Sequence, residues 1–113
     1  MKTCQILLIS DDTIVKETLS QWIRRQGLEF EVCTVAAVPK VLEHFDANAL
    51  LVDAESYRVD DMALLAWLKR RFPEKPMLLH TSTLMDEKGL LLSKPAYLSE
   101  FKTLLAKLCG GGD

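Results

Sequence analysis

The sequence predicts an α/β fold in which helices cover both faces of a doubly wound, five-stranded parallel sheet. Short apolar runs without a polar face, such as QILLI (5–9) and NALLVD (48–53), are typical of strands buried on both sides. These runs alternate along the chain with longer segments whose apolar residues recur at helical spacing. At 113 residues, with 49% hydrophobic and 27% charged residues, the chain suits one globular domain.

The first half of the chain supplies three predicted strands and two predicted helices. Gly27 is a natural stop for the first helix, and Pro39 is tolerated in the first turn of the second helix. The segment FEVCTV alternates between apolar and polar residues, as a strand does. The predicted strands are 5–9, 30–35 and 48–53, and the predicted helices are 13–27 and 38–46.

The second half supplies two more strands and two more helices. Either Asp60 or Asp61 could cap the helix MALLAWLKRRF, which has basic residues in its last turn. The last helix has a strong apolar stripe, and the GGGD end is typical of a flexible tail or linker. The predicted strands are 77–80 and 89–95, the helices are 62–72 and 97–108, the domain is 1–108, and the tail is 109–113.

Composition excludes several classes of function. The formal net charge of −2 gives no electrostatic footprint for nucleic acid, and no apolar run is long enough to span a membrane. Cys4, Cys33 and Cys109 are an odd number at wide spacing and form no C-x-x-C pair. We therefore expect free thiols in a reducing cytoplasm, with Cys33 as a small buried apolar residue.

Polar residues follow the carboxyl ends of the predicted strands. This is the edge of a parallel sheet at which ligands bind. These residues are Asp11, Asp12, Asp53, Thr81 and Lys94. Three carboxylates crowded together would repel one another, and a hard divalent cation such as Mg²⁺ relieves that repulsion. A hydroxyl and an ammonium group could then hold the oxygens of a phosphoryl group landing on one carboxylate.

The motifs LLISDD, ALLVDAES, PMLLHTS and LLLSKP occur in this order, and together they resemble the receiver domains of two-component response regulators. The resemblance implies a flavodoxin-like sheet of order 2-1-3-4-5. It implies that Asp53 accepts a phosphoryl group from a histidine kinase or histidine phosphotransfer protein, assisted by Thr81 and Lys94. It also implies that Mg²⁺ is held by the carboxylates of Asp11, Asp12 and Asp53 and by the main-chain carbonyl of Glu55.

The resemblance also implies supporting roles around this site. Glu55 and Thr83 occupy the positions that tune dephosphorylation in receivers. The first helix and the loop after the lysine are the surfaces on which receivers dock their kinases. The docking residues implied here are Ile14, Val15, Pro95 and Ala96.

The chain departs from the receiver pattern between Thr81 and Lys94, where only residues 82–89 connect the last two strands. A two-turn helix does not fit, so the fourth helix is missing or reduced to one turn in LMDEK. A parallel return is feasible for eight extended residues, but an antiparallel return, which would carry Lys94 away from Asp53, is easier.

Other positions depart as well. Leu91 stands in place of an aromatic switch residue, and Asp61 stands where receivers usually have glycine. We therefore expect an output surface that differs from that of other receivers.

Three classes of function follow from the sequence. The first is a phosphoacceptor receiver, a signalling domain rather than an enzyme acting on a separate substrate, with a homodimer as a further assembly. The second is a degenerate receiver-like module, for example inside a hybrid kinase or atypical regulator, that acts by protein contacts without phosphorylation. The third, a phosphatase of the haloacid-dehalogenase type, would need two aspartates separated by one residue, whereas Asp11 and Asp12 are adjacent.

Overall fold

A computed structural model describes residues 4–83 and 90–110. Its sheet has five strands: β1 (Gln5–Ile9), β2 (Glu29–Cys33), β3 (Ala49–Asp53), β4 (Met77–Thr81) and β5 (Leu90–Ser93). They lie in the order β2-β1-β3-β4-β5, and every neighbouring pair is parallel. The predicted doubly wound, flavodoxin-like sheet is confirmed.

Helices cover both faces of this sheet. They are α1 (Thr13–Arg25), α2 (Val38–Leu42), α3 (Val59–Arg71) and α4 (Leu98–Leu108), with a short 3₁₀ turn at Val35–Ala37. Successive strand residues point to opposite faces, so each central strand contributes to two cores. One core joins the sheet to α2 and α3 through Leu7, Ile9, Leu50, Val52, Val38, Leu65 and Leu68. The other joins it to α1 and α4 through Ile6, Leu8, Leu51, Leu92, Leu19, Ile23, Phe101 and Leu105.

The first helix begins at Thr13, as predicted, and ends at Arg25, two residues before the predicted end at Gly27. Asp12 is its N-cap residue, and its side chain accepts hydrogen bonds from the backbone N–H groups of Ile14 and Val15. Beyond the helix, Gly27 has a φ of +73°, a conformation that glycine adopts without strain. The cap satisfies backbone donors that would otherwise have no partner in the helix.

Helices α2 and α3 differ from their predicted bounds. Helix α2 ends at Leu42, shorter than the predicted 38–46, and α3 begins at Val59, three residues before the predicted start. The prediction that Asp60 or Asp61 caps α3 is wrong. Arg58 occupies the N-cap position without a side-chain cap bond, and both acids lie inside the first turn. The Asp61 carboxylate instead accepts a hydrogen bond from the backbone N–H of Glu55.

The last two strands settle the direction of the short connection. Strand β5 pairs parallel to β4, with Leu78 opposite Leu90 and Thr81 opposite Ser93. The return is therefore parallel, and Lys94 follows β5 at the same edge as Asp53. The predicted single turn in LMDEK falls on residues 84–88, which lie outside the described residues.

The cysteines depart from the sequence expectation. Cys4 and Cys109 form a disulfide, so the prediction of free thiols is wrong for these two residues. They lie 105 residues apart in sequence but come together because β1 begins and α4 ends at the same end of the molecule. Cys33 is free and buried, as predicted, and burial raises the pKa of its thiol to about 11.

The described residues contain no helix long and apolar enough to cross a membrane. The predicted flexible tail, residues 109–113, stays a prediction. Within it, Cys109 is tied to Cys4 by the disulfide.

Candidate functional site

Asp53 ends strand β3 and lies buried at the centre of the site. Its Oδ2 accepts a hydrogen bond from the Ser10 hydroxyl at 2.7 Å, and its Oδ1 lies 2.6 Å from the Lys94 ammonium nitrogen. The Nδ1 atom of His80 is 3.3 Å from the same Oδ1. Neither Oδ1 nor Nδ1 has a hydrogen-bond partner of acceptable geometry among the described residues, so the contact of Oδ1 with Lys94 is an ion pair.

These contacts keep the Asp53 carboxylate charged. Burial by itself would raise the pKa of Asp53, but the contacts with His80, Lys94 and Ser10 hold it well below its usual range. The side chain of Asp53 is only 1% exposed. Both of its oxygens are therefore enclosed by protein groups rather than open to solvent.

A second carboxylate, that of Glu55, lies beside Asp53 and is equally buried. Its Oε1 accepts hydrogen bonds from the backbone N–H and the hydroxyl of Ser82, and it lies 2.9 Å from the Lys94 nitrogen. Its Oε2 accepts from the Thr81 hydroxyl and the Thr83 backbone N–H, each at 3.1 Å. Lys94 thus bridges the two carboxylates, and Thr81 and Thr83 reach Glu55.

The backbone of Glu55 is fixed as firmly as its side chain. Its N–H donates to Asp61 Oδ2 at 3.0 Å, and its carbonyl accepts from the Arg58 N–H at 3.0 Å. Asp61 is buried, and its carboxylate is also 3.8 Å from the Arg58 guanidinium. Burial raises the pKa of Asp61, although the Glu55 N–H and Arg58 oppose that rise.

The acidic pair at the end of β1 does not join this network. Asp11 Oδ1 accepts a hydrogen bond from the Val35 N–H at 2.9 Å, and Asp12 Oδ1 caps helix α1. Both residues are exposed. The structure therefore leaves the side chains of Asp11 and Asp12 outside the network. The predicted site residues that it does bring together are Asp53, Glu55, Thr81, Thr83 and Lys94.

The predicted Mg²⁺ ligands do not form one cluster in this structure. Among residues 4–83 and 90–110, no three His, Cys, Asp or Glu side chains are placed to hold a metal ion. The Glu55 carbonyl, predicted as a ligand, accepts one backbone hydrogen bond. Asp11 and Asp12 each bind backbone N–H groups through Oδ1, one of the two oxygens that a carboxylate offers to a metal ion. The Mg²⁺ site stays a prediction.

The implied docking residues divide into two kinds. Ile14 and Pro95 are exposed, whereas Val15 and Ala96 are half-buried and pack against the α1–α4 core. The large hydrophobic side chains that are exposed in the described part of the chain all follow the carboxyl ends of strands. They are Ile14, Tyr57, Val59 and Tyr97.

The sequence interpretation missed four residues of the site: Ser10, His80, Ser82 and Asp61. Ser10 is fully buried, and its hydroxyl binds Asp53 at the place where an acidic side chain was expected. His80 is buried near the end of β4, and its Nδ1 lies 3.3 Å from the Asp53 carboxylate. The only sequence signal for these residues was position, because Ser10, His80 and Ser82 each lie within two residues of a predicted strand end.

Comparison with known proteins adds the fold family. No protein-family model and no curated protein matches the sequence. The structure is similar to the signal receiver domain of an HD domain-containing protein from Pseudomonas fluorescens Pf-5, at 17% identity and a TM-score of 0.82, with 97% of each chain covered. A CheY-like receiver domain protein from Methanospirillum hungatei JF-1 has 18% identity and a TM-score of 0.82, covering 97% of this chain and 96% of that one.

A third similar structure, the receiver domain of the Francisella response regulator 1452, has 14% identity and a TM-score of 0.81. The match covers 98% of this chain and all of the Francisella domain, 100%. At such low identities the likeness concerns the fold. The chain described above has the fold of CheY-like response regulator receiver domains.

Proposed function

We propose that this chain is a receiver-like signalling module that acts through protein contacts, without phosphorylation of Asp53. The observation that carries the proposal is the enclosure of Asp53, whose side chain is 1% exposed and whose oxygens contact Ser10, Lys94 and His80. A carboxylate can attack a phosphoryl donor only through an oxygen that the donor can approach in line. Here both oxygens face protein groups.

The contact surface of this module is the carboxyl edge of the sheet. Val59 is 81% exposed and Ile14 is 75% exposed, and Tyr57 and Tyr97 are exposed as well. Tyrosine is a frequent anchor of protein interfaces, and exposed apolar side chains add area to such surfaces. The partner proposed for this surface is a histidine kinase or histidine phosphotransfer protein, with Ile14, Val15, Pro95 and Ala96 as the docking residues.

A signalling domain of this kind turns over no separate substrate. We expect it in the cytoplasm, where kinases of this class present their phosphorylated domains. The Cys4–Cys109 disulfide is more typical of an oxidising compartment. Thiol labelling of the protein in cells, with and without prior reduction, distinguishes the two locations.

The phosphoacceptor receiver is the second candidate, and one observation favours it. Lys94 lies 2.6 Å from Asp53, and Thr81 ends the neighbouring strand, so the predicted acceptor and its two assisting groups adjoin. With Mg²⁺, this candidate requires the carboxylates of Asp11 and Asp12, whose Oδ1 atoms bind backbone N–H groups, to reach the same ion as Asp53. It also requires Asp53 to become accessible.

Treatment with acetyl phosphate and Mg²⁺, followed by intact-protein mass spectrometry, tests the proposal. We expect no phosphoryl adduct on the wild-type chain, under conditions where a conventional receiver domain is phosphorylated. Asp53→Asn is the matched control, since it keeps the size of the side chain and removes the acceptor. An adduct on the wild type that disappears in Asp53→Asn would overturn the proposal and establish the second candidate.

A further inference from the structure

We infer that the Glu55 carboxylate is a built-in ligand of an oxyanion site, and that it excludes external phosphate from that site. We call the site the oxyanion cradle; it consists of Thr81, Ser82, Thr83 and Lys94. The inference deepens the proposed function and rests on it, because a permanently filled cradle suits a module that works without phosphorylation.

The donors of the oxyanion cradle converge on one carboxylate from two sides. Two consecutive backbone N–H groups, those of Ser82 and Thr83, point at Glu55 from 2.9 and 3.1 Å. The hydroxyls of Thr81 and Ser82 lie at 3.1 and 3.0 Å, and the Lys94 nitrogen at 2.9 Å. Consecutive N–H groups combined with an ammonium group are a recurring way of binding oxyanions in proteins.

The cradle also adjoins the place where a phosphoryl group on Asp53 would lie. Lys94 contacts Asp53 and Glu55 together, and Thr81 ends the strand next to β3. The sequence interpretation assigned Thr81 and Lys94 to phosphoryl oxygens. The single proton of the Thr81 hydroxyl serves one acceptor at a time. The Glu55 carboxylate and an external oxyanion therefore compete for the same donors.

Glu55 is held in the cradle by contacts on its other side. Its backbone N–H donates to Asp61, and the Ser56 N–H donates to the Thr83 hydroxyl at 3.1 Å. Asp61 is itself buried and lies near the Arg58 guanidinium. These bonds fix the start of the β3–α3 connection, so the carboxylate enters the cradle without ordering a free loop.

The protonation state of Glu55 agrees with this role. Burial alone would raise its pKa, yet the hydrogen bonds from Lys94 and Ser82 lower it from 4.5 to about 2. The carboxylate is therefore an anion throughout the neutral range. Its removal leaves an ammonium group, two N–H groups and two hydroxyls facing a vacated space, which is the donor set for a phosphate-class oxyanion.

The test is a titration of wild type and Glu55→Ala with inorganic phosphate, followed by ¹⁵N–¹H amide shifts. In Glu55→Ala we expect saturable shifts of the Ser82 and Thr83 amides, with an affinity at least about ten-fold above that of the wild type. Glu74→Ala is the matched control, because it removes the same charge from an exposed position. The control should behave as the wild type does.

A folded Glu55→Ala that binds phosphate no more tightly than the wild type would overturn the inference. If Glu55→Ala does not fold, Glu55→Gln takes its place, because it removes the charge and keeps the size of the side chain. We expect Glu55→Gln to bind phosphate more tightly than the wild type does. A folded Glu55→Gln that binds phosphate no more tightly would reject the cradle.

Failure of this inference is separate from failure of the proposed function. Inorganic phosphate transfers no phosphoryl group, so its binding to Glu55→Ala is independent of whether Asp53 can be phosphorylated. A phosphoryl adduct on wild-type Asp53 would contradict the proposed function. A Glu55→Ala variant that binds no phosphate would contradict only the inference about Glu55.

Discussion

The acidic residues at the carboxyl edge of the sheet lie in two different environments. Beyond β1, Asp11 and Asp12 are exposed, and each accepts hydrogen bonds from backbone N–H groups. Beyond β3, Asp53 and Glu55 are buried and share the ammonium group of Lys94. Exposed carboxylates keep much of their hydration, whereas buried ones depend on their protein partners. The acidic residues at this edge therefore form a common site only where they are buried and share hydrogen-bond donors.

Removal of Lys94 is the strongest test of this contrast. Lys94→Met leaves two buried carboxylates without their shared cation, and we expect a loss of about 3 to 5 kcal/mol in the free energy of unfolding. Urea denaturation measures the loss. Lys102→Met is the matched control at an exposed position of α4, and it should change stability by less than about 0.5 kcal/mol. Equal effects of the two substitutions would contradict a buried network.

Acid should weaken the buried network beyond β3. The pKa of Glu55 is about 2 in the folded chain against 4.5 normally, so its stabilising contribution is complete above pH 4.5 and is lost as the pH falls toward 2. The loss attributable to Glu55 is on the order of 3 kcal/mol. The pKa of Asp53 is lowered as well and acts in the same direction.

The contribution of Glu55 is isolated by comparing the wild type with Glu55→Gln at several pH values. Asp61, whose pKa burial raises, acts in the opposite direction in both proteins and cancels from the difference. The stability difference between the two proteins should shrink as the pH falls from 4.5 toward 2. A difference that stays constant through this range would show that Glu55 is not held as a buried anion.

Ser10 is the link between the two regions, because it follows β1 but binds the β3 carboxylate. Ser10→Ala removes a buried hydroxyl that donates to Asp53 at 2.7 Å. We expect a loss of about 2 kcal/mol by urea denaturation, the usual value for a hydrogen bond to a charged group. Ser99→Ala, at an exposed position of α4, is the control. A loss no larger than that of the control would remove Ser10 from the network.

The fold could be predicted because its strands are apolar on both faces and its helices keep their period, and both signals are local. The identity of the residues facing Asp53 could not be predicted, because it depends on strand register. Ile9 pairs with Val52, so continuing the pairing by one residue puts Ser10 beside Asp53 and leaves Asp11 one position beyond. A shift of one residue turns a side chain to the other face of the sheet.

The oxyanion cradle around Glu55 could not be predicted from the sequence for a similar reason. The positions of Thr81 and Lys94 after two predicted strands, together with the resemblance to receivers, predicted that both groups would meet Asp53, and Lys94 does. The occupant of the space between them depends on the path of the β3–α3 connection, which Asp61 sets by binding the Glu55 N–H. The sequence showed Asp61 only as a candidate helix cap and as a departure from the usual glycine. Its effect on the backbone required the three-dimensional arrangement.

The exposed side of the edge gives the smallest expected effect, and Asp12 tests it. Asp12→Ala removes the acceptor for the Ile14 and Val15 N–H groups, so it should lower the free energy of unfolding by about 1 kcal/mol. Asp12→Asn still caps the helix, so it should change the free energy of unfolding by only about 0.3 kcal/mol. Thermal melts with and without millimolar Mg²⁺ complete the test. We expect Mg²⁺ to stabilise neither the wild type nor Asp12→Asn. A melting temperature that Mg²⁺ raises in the wild type but not in Asp12→Asn would assign Asp12 to a metal site, since a bound ion stabilises the state that binds it.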